Sequence, residues 1–331
     1  MNNIRERMQK ALTPLALGLI ALFALATGAH AQGYPAKPIR MISPFPAGGP
    51  VDGVFRQFGQ EITNATGQAW ITENRPGGNG VISLDGCARA TPDGYTVCLV
   101  DRTQSMLPHL YNKLPFDVVK DFEPITNVVF TILALVAHPL LGVKDFRELM
   151  AVGKAKPGAF NYASMGAGTT ANLLMEWLRK KDGVELTHVP FKGPPPLLQS
   201  LLAGETHLTY LGLGSFPQFH QSGKLRIIGV SGNKRSPVMP DIPTLIEQGL
   251  TGIDTRVWFG LMGPTGLPRD ARDRIQREIA RIAAIPAFRE KNIIGQAFDP
   301  IADTSEEFAK FLRADREAAA ELIRITGIRL D

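Results

Sequence analysis

Cysteine is scarce, with two residues in 331, and histidine is hardly commoner, with six. The histidines show no H-x-x-x-H or comparable spacing, so no metal site is expected. No serine stands in G-x-S-x-G; the nearest stretch, Gly229-Val230-Ser231-Gly232, has the wrong spacing for a hydrolase nucleophile. No carboxylate pair announces acid–base chemistry, and no basic stripe interleaves with aromatics, so nucleic acid is not an expected partner. Long apolar runs are missing too. Leu15 to Ala26 is too short for a membrane span, which needs ~20 residues, and every later run is broken by Gly, Pro or charge.

That one short run has a meaning of its own. Arg5, Arg7 and Lys10 precede it and Ala29-His30-Ala31 follows it, the arrangement of a secretory signal peptide cut after Ala31. No cysteine sits at the cut, so a lipid anchor there is not expected. Removal of residues 1–31 leaves 300 residues and lowers the formal charge from +5 to +3. An exported chain meets an oxidising compartment, where an even pair of cysteines reads as a bridge. Thr91-Pro92-Asp93-Gly94 lies between Cys87 and Cys98 and turns the chain back. Buried free thiols are the alternative.

The stretch Ser43-Pro44-Phe45-Pro46-Ala47-Gly48-Gly49-Pro50-Val51-Asp52 organises the rest. Ile39 to Ile42 before it reads as a buried strand. After it Val51, Val54, Phe55, Phe58, Ile62 and Ala65 recur at helical spacing up to Gly67. A strand, a Pro/Gly loop and a helix start aim unpaired N–H groups and a positive dipole end at one spot, which suits an anion. An ordinary βα turn is the alternative.

A second such loop strengthens the anion reading. Phe160 to Ser164 is an expected strand, Met165-Gly166-Ala167-Gly168-Thr169-Thr170 the loop, and a helix bearing Leu173, Leu174, Trp177 and Leu178 follows. His188 to Gly193 ends another strand in a similar loop. Asn74 to Gly80 is a further loop, able to reach a cleft or simply to connect. Strands alternating with helices imply mostly parallel sheets. Val128 to Val136 and Arg256 to Met262 are long enough to cross between two lobes, while Leu114 to Pro124 reads as irregular surface. Thr304-Ser305-Glu306-Glu307 offers a capping box. The G-x-G-x-x-A at Gly166 to Ala171 matches a dinucleotide fingerprint, but no acidic residue stands plainly at a strand end about 20 positions on. No cofactor and no enzyme activity are expected.

The ordered motifs resemble one family. Tyr34-Pro35-Ala36-Lys37-Pro38-Ile39-Arg40, Pro44 to Gly49 with Asp52, Glu73-Asn74-Arg75-Pro76-Gly77, Pro92-Asp93-Gly94-Tyr95, Asn161-Tyr162-Ala163-Ser164, Val189-Pro190-Phe191-Lys192-Gly193 and Pro240-Asp241-Ile242-Pro243-Thr244 carry it. Across the mature chain the sequence is similar to the extracytoplasmic receptors of tripartite tricarboxylate transporters, the Bug or TctC family. The resemblance implies an α/β, type II periplasmic-binding-protein fold: two doubly wound lobes joined by two crossing strands, with a ligand cleft between. Lobe 1 is expected over 32–131 plus 255–331 and lobe 2 over 132–254.

It further implies a periplasmic, monomeric protein that captures a small organic acid by hinge closure and delivers it to membrane permease subunits. A sensor-kinase partner or a secreted hydrolase are the alternatives. The implied ligand contacts are Phe45, Pro46, Ala47, Gly48 and Asp52 on the first loop. On the second they are Ser164, Gly166, Gly168, Thr169 and Thr170, with Phe191 nearby. Arg102, Thr103 and Gln104 are candidates for reading the ligand's far end, with a surface position as the alternative. Asn172 stands where the family usually has His, Phe191 where it has Tyr, and Gly212 where an acid is common. The lost hydroxyl at Phe191 favours a ligand with an apolar body.

Overall fold

Strand-sized apolar blocks alternate with amphipathic helices, and the strands sort into two sheets. The computed structural model describes residues 33–330, so the expected export segment lies outside the described residues. Residues 33–36 carry no helix or strand and belong to an N-terminal unit, while the chain from Lys37 onward forms a second unit. In that unit the first sheet holds β1 (Ile39–Ser43), β2 (Trp70–Asn74), β3 (Thr96–Asp101) and β4 (Phe122–Thr131). The second holds β5 (Leu133–Ala137), β6 (Asn161–Ser164), β7 (Thr187–Pro190), β8 (Leu208–Gly212) and β9 (Arg226–Val230). The chain then returns to the first sheet with β10 (Val257–Pro264) and β11 (Phe298–Pro300). The strand orders are β11-β4-β10-β3-β1-β2 and β7-β6-β8-β5-β9.

The sheets are mixed rather than mostly parallel. β1 runs parallel to β2 and β3, and β6 to β7 and β8, as helical crossovers require. The strands that arrive directly from the other sheet run the opposite way: β5 against β8 and β9, β10 against β3 and β4. No helix carries the chain into them, so nothing imposes parallel pairing.

The expected long strand at Val128 to Val136 is two strands broken at Ile132. Its N–H donates to the Ala297 carbonyl at 3.0 Å, and its own carbonyl accepts from Leu213 N–H at 2.8 Å. The second crossing also differs from expectation. β10 lies wholly in the first sheet, and the chain crosses just before it, through residues 253–256, which have no regular structure. Phe122 to Pro124, expected as surface, already belongs to β4.

Helix boundaries follow local chemistry. Helix α1 (Pro50–Thr66) opens with proline in its first turn and stops at Gly67, whose φ of 71° is left-handed. Helices α2 (Val81–Ala88), α3 (Thr103–Leu110), α4 (Phe146–Ala155), α5 (Thr170–Asp182), α6 (Pro194–Leu202) and α7 (Arg269–Ala283) follow in order. The last, α8 (Ser305–Thr326), carries the full capping box between Thr304 and Glu307. Helix α3 is unannounced in the sequence, where Pro108 argues against it. Each sheet buries its own apolar cluster, one around Trp258, Phe308, Leu107 and the bonded pair Cys87–Cys98, the other around Leu201, Phe216 and Ile227.

Candidate functional site

Both Gly-bearing loops sit at the C-terminal ends of parallel strands, where open α/β sheets place ligands. The first leaves β1 after Ser43 and enters α1. Its conformation is held by Asp52, which is buried. Asp52 Oδ2 accepts from Gly48 N–H at 3.0 Å and from Arg56 Nε at 2.8 Å, and Oδ1 accepts from Asn74 Nδ2 at 2.8 Å. Asn74, at the end of β2, also donates to the Phe45 carbonyl at 2.9 Å. Register explains this staple, because β1 pairs Ser43 with Asn74. The Phe45 ring meets Phe259 edge-on at 5.4 Å, and Pro46, Ala47 and Gly48 are exposed. No side chain caps α1, so its first-turn N–H groups remain available to a ligand.

The second loop leaves β6 after Ser164 and enters α5, whose cap Thr169 also gives no side-chain bond to the helix. Gly166 N–H donates to Ser164 Oγ at 3.0 Å, and Thr169 Oγ1 donates to the Gly166 carbonyl at 2.7 Å. Ser164 Oγ lies 2.6 Å from His188 Nε2, and His188 stacks on Tyr162. Burial holds His188 below the usual imidazole range, against the opposing pull of Glu176, so the ring is neutral near pH 7. Phe191 joins this loop through its N–H, which donates to the Ser164 carbonyl at 2.8 Å. Met165 presents a half-exposed apolar side chain from the same loop, 43% accessible.

Gln104 does not join either loop. Helix α3 begins directly after β3, which turns this side chain inward. It is buried, and its Nε2 donates to the Val118 carbonyl at 3.0 Å. Arg102 is buried as well and donates to the carbonyls of Asp254 and Arg256, on the crossing segment. Thr103 closes on Asp101 through N–H and Oγ1. The Asn74 to Gly80 loop lies beside the first loop, with Pro44 packed at Gly80. Sequence reading missed Arg56, Asn74, Tyr162 and His188 as supports of the loops. Asn74 and His188, each at the start of a recognised loop stretch, carried a local signal.

The two sheets' elements meet at a seam. A cavity of about 10 Å³ there is lined by Arg102 and Met106 from one side and Thr170, Leu173 and Leu174 from the other. It has room for about one water and not for an organic acid.

The Asp52 contacts give a pH-dependent prediction. Burial raises its pKa, but hydrogen bonds from Arg56, Asn74 and Gly48 outweigh that and hold it below the usual 3.8. Its contribution is therefore present above pH ~4 and lost as pH falls through the folded-state value. Asp52→Asn turns an NH₂ toward the donors and is expected to cost about 1–3 kcal/mol at pH 7. The gap at pH 7 should exceed that in acid, once pH has fallen through the lowered folded-state value and the native carboxyl also protonates. Urea unfolding at both pH values measures it, and equal gaps would refute the assignment.

Comparison with known proteins agrees with this architecture. The family model described as the tripartite tricarboxylate transporter family receptor, TctC, matches residues 54–328. Protein BugT of Bordetella pertussis is 30% identical over 313 residues, covering 94% of this chain and 96% of that protein. A Cupriavidus necator protein encoded in the gbd 5' region is 32% identical, covering 95% and 94%. Among solved structures, the periplasmic binding protein BugD superposes with a TM-score of 0.79 at 29% identity, covering 89% of this chain and 99% of its own. An R. palustris protein solved with adipate gives 0.82 at 25%, covering 89% and 99%. MatC from Rhodopseudomonas palustris, solved with malate, gives 0.77 at 25%, covering 88% and 100%. The matching family is one of solute-binding receptors and not of enzymes, and the chain belongs to it: the tripartite tricarboxylate transporter receptor family, TctC.

Proposed function

We propose that this chain is a periplasmic receptor that captures a small organic acid and hands it to the membrane permease subunits of a tripartite tricarboxylate-type transporter. The observation that carries the reading is the pair of loops, each at a strand's C-terminal end and each opening an uncapped helix. We take residues 32–131 with 255–331 as one lobe and 132–254 as the other, acting as a monomer. Closure about Ile132 and residues 253–256 would bring the two loops onto one ligand.

The proposed contacts are Phe45, Pro46, Ala47 and Gly48 from one side and Ser164, Gly166, Gly168, Thr169, Thr170 and Phe191 from the other. Asp52 acts from beneath, and Gln104 is left out because its side chain is buried, with Nε2 bonded to the Val118 carbonyl. Support comes from the adipate and malate held by two structural neighbours. Phe45, Met165 and Phe191 favour an acid with an apolar body over a polyhydroxy acid.

Thermal-shift screening of residues 32–331 against mono- and dicarboxylates tests this. A ligand at 100 times its Kd should stabilise by ~2.7 kcal/mol. A folded protein that shifts with no carboxylate would overturn the reading.

A further inference from the structure

The last described residues of the chain touch helices that belong to different sheets. Helix α3 ends at Leu110, and the carbonyls of its last turn have no acceptor role inside the helix. Residues beyond α8 supply their donors. Helix α8 stops at Gly327, whose φ of 73° is left-handed, and the chain turns away from the helix axis. Leu330 N–H then donates to the Leu110 carbonyl at 2.7 Å, and the Arg329 guanidinium donates to the His109 carbonyl. A cation at this end of α3 also complements its dipole.

The same residues reach the second sheet's side. Leu330 is half-buried, and with Leu110 it walls Gly168: a Cβ there would stand 3.0 Å from Leu330 Cδ1 and 3.2 Å from Leu110 Cδ1. Beside this contact Met106 of α3 and Leu322 of α8 share a seam with Thr170, Leu173 and Leu174 of α5. Helix α8 packs on both α3 and α5. Leu107 of α3 and Phe308 of α8 belong to the first sheet's apolar cluster, whereas α5 follows β6 of the second sheet, so this apolar seat joins elements of different sheets. Past Leu110 the chain leads towards the first loop. Asn79 Nδ2 donates to Tyr111 OH at 3.3 Å, and Pro44 packs at Gly80. Contact with Leu110 and Leu330 therefore holds Gly168 towards the side on which the first loop lies.

We infer that residues 328–330 form a strap that favours the arrangement in which Gly168 rests on α3, and that this strap sets how readily the two sheets close. Few bonds hold it and Arg329 is exposed, so it can release without unfolding either sheet. Its consequence for affinity rests on the receptor reading above; its consequence for shape does not.

A mature chain ending at Gly327 is the test, with Leu330→Met as the variant that keeps an apolar contact. Small-angle X-ray scattering without ligand, well below both unfolding midpoints, should give the shortened chain a larger radius of gyration than wild type. Leu330→Met should match wild type. In calorimetric titrations with adipate, hexanoate and benzoate, each acid that binds wild type should bind the shortened chain about threefold or more weakly, because fewer molecules occupy the competent arrangement. By reciprocity the same acid at saturation should slow exchange of the Leu330 amide in wild type, a readout that needs no variant. A role confined to capping α3 would leave scattering and affinity unchanged. Unchanged scattering, or equal or tighter binding, by a folded shortened chain overturns the strap, as does Leu330 exchange that saturating acid leaves unaltered. Wild type that binds none of a broad acid panel overturns the receptor reading, and scattering alone then decides the strap.

Discussion

Arg102→Ala is expected to destabilise the protein by about 3–5 kcal/mol, because it breaks a buried ion pair from one side. Arg102 leaves the end of β3 and is sealed from water. Its guanidinium donates to the carbonyls of Asp254 and Arg256, and its Nε lies 3.5 Å from Asp315 Oδ1. The other oxygen, Asp315 Oδ2, accepts from Trp258 Nε1 at 2.8 Å, and Trp258 is fully buried against Phe308 and Phe311. Truncation would strand a buried carboxylate and two carbonyls on the crossing segment. Asp101 next door, pushed up to about 6 chiefly by burial, shows how poorly this neighbourhood tolerates anions. Its raised value works against stability as pH rises between ~4 and 6, where the native state holds the proton longer than the unfolded chain.

The double variant Arg102→Met, Asp315→Asn removes both charges and should recover part of the loss. Urea unfolding of the single and double variants gives the numbers. A loss under about 1 kcal/mol for Arg102→Ala would mean the pair adds no more than an exposed one. The same side chain holds residues 254–256, so the variant should also loosen this crossing segment, visible as faster amide exchange there.

Replacing both Cys87 and Cys98 by alanine is expected to cost about 3 kcal/mol. The two cysteines are bonded across a sequence separation of 11. A loop of that length removes roughly 3 kcal/mol of chain entropy from the unfolded state. The bond ties α2 to β3 inside the first sheet's core, where both residues are buried beside Trp258 and Leu107. It touches neither Gly-bearing loop. Unfolding midpoints should fall for the double variant and for wild type under reductant alike. A reductant-insensitive midpoint would contradict the bond.

The sequence by itself settled what neighbouring residues decide. Gly48 and Gly168 announce their loops because only glycine takes a left-handed φ without strain. Pro50 marks a helix start, Gly67 and Gly183 mark stops, and the Thr304 box is complete within four residues. The alternation of strands and helices, and the family motifs with them, are likewise written in short windows.

Tertiary structure decided everything that needed a distant partner. Ile132 divides the run Val128 to Val136 because its N–H and C=O are claimed by Ala297 and by Leu213, one on each side of the break. Gln104 and Arg102 stand two residues apart after one strand, and only packing sends one to Val118 and the other to residues 254–256. Asp52 stands beside its loop in the sequence, and the fold brings Gly48, Arg56 and Asn74 to its oxygens. The physical reason is common to all three. Backbone preference is a property of a residue and its neighbours, whereas the fate of a buried polar group is set by whichever partner the fold brings within about 3 Å.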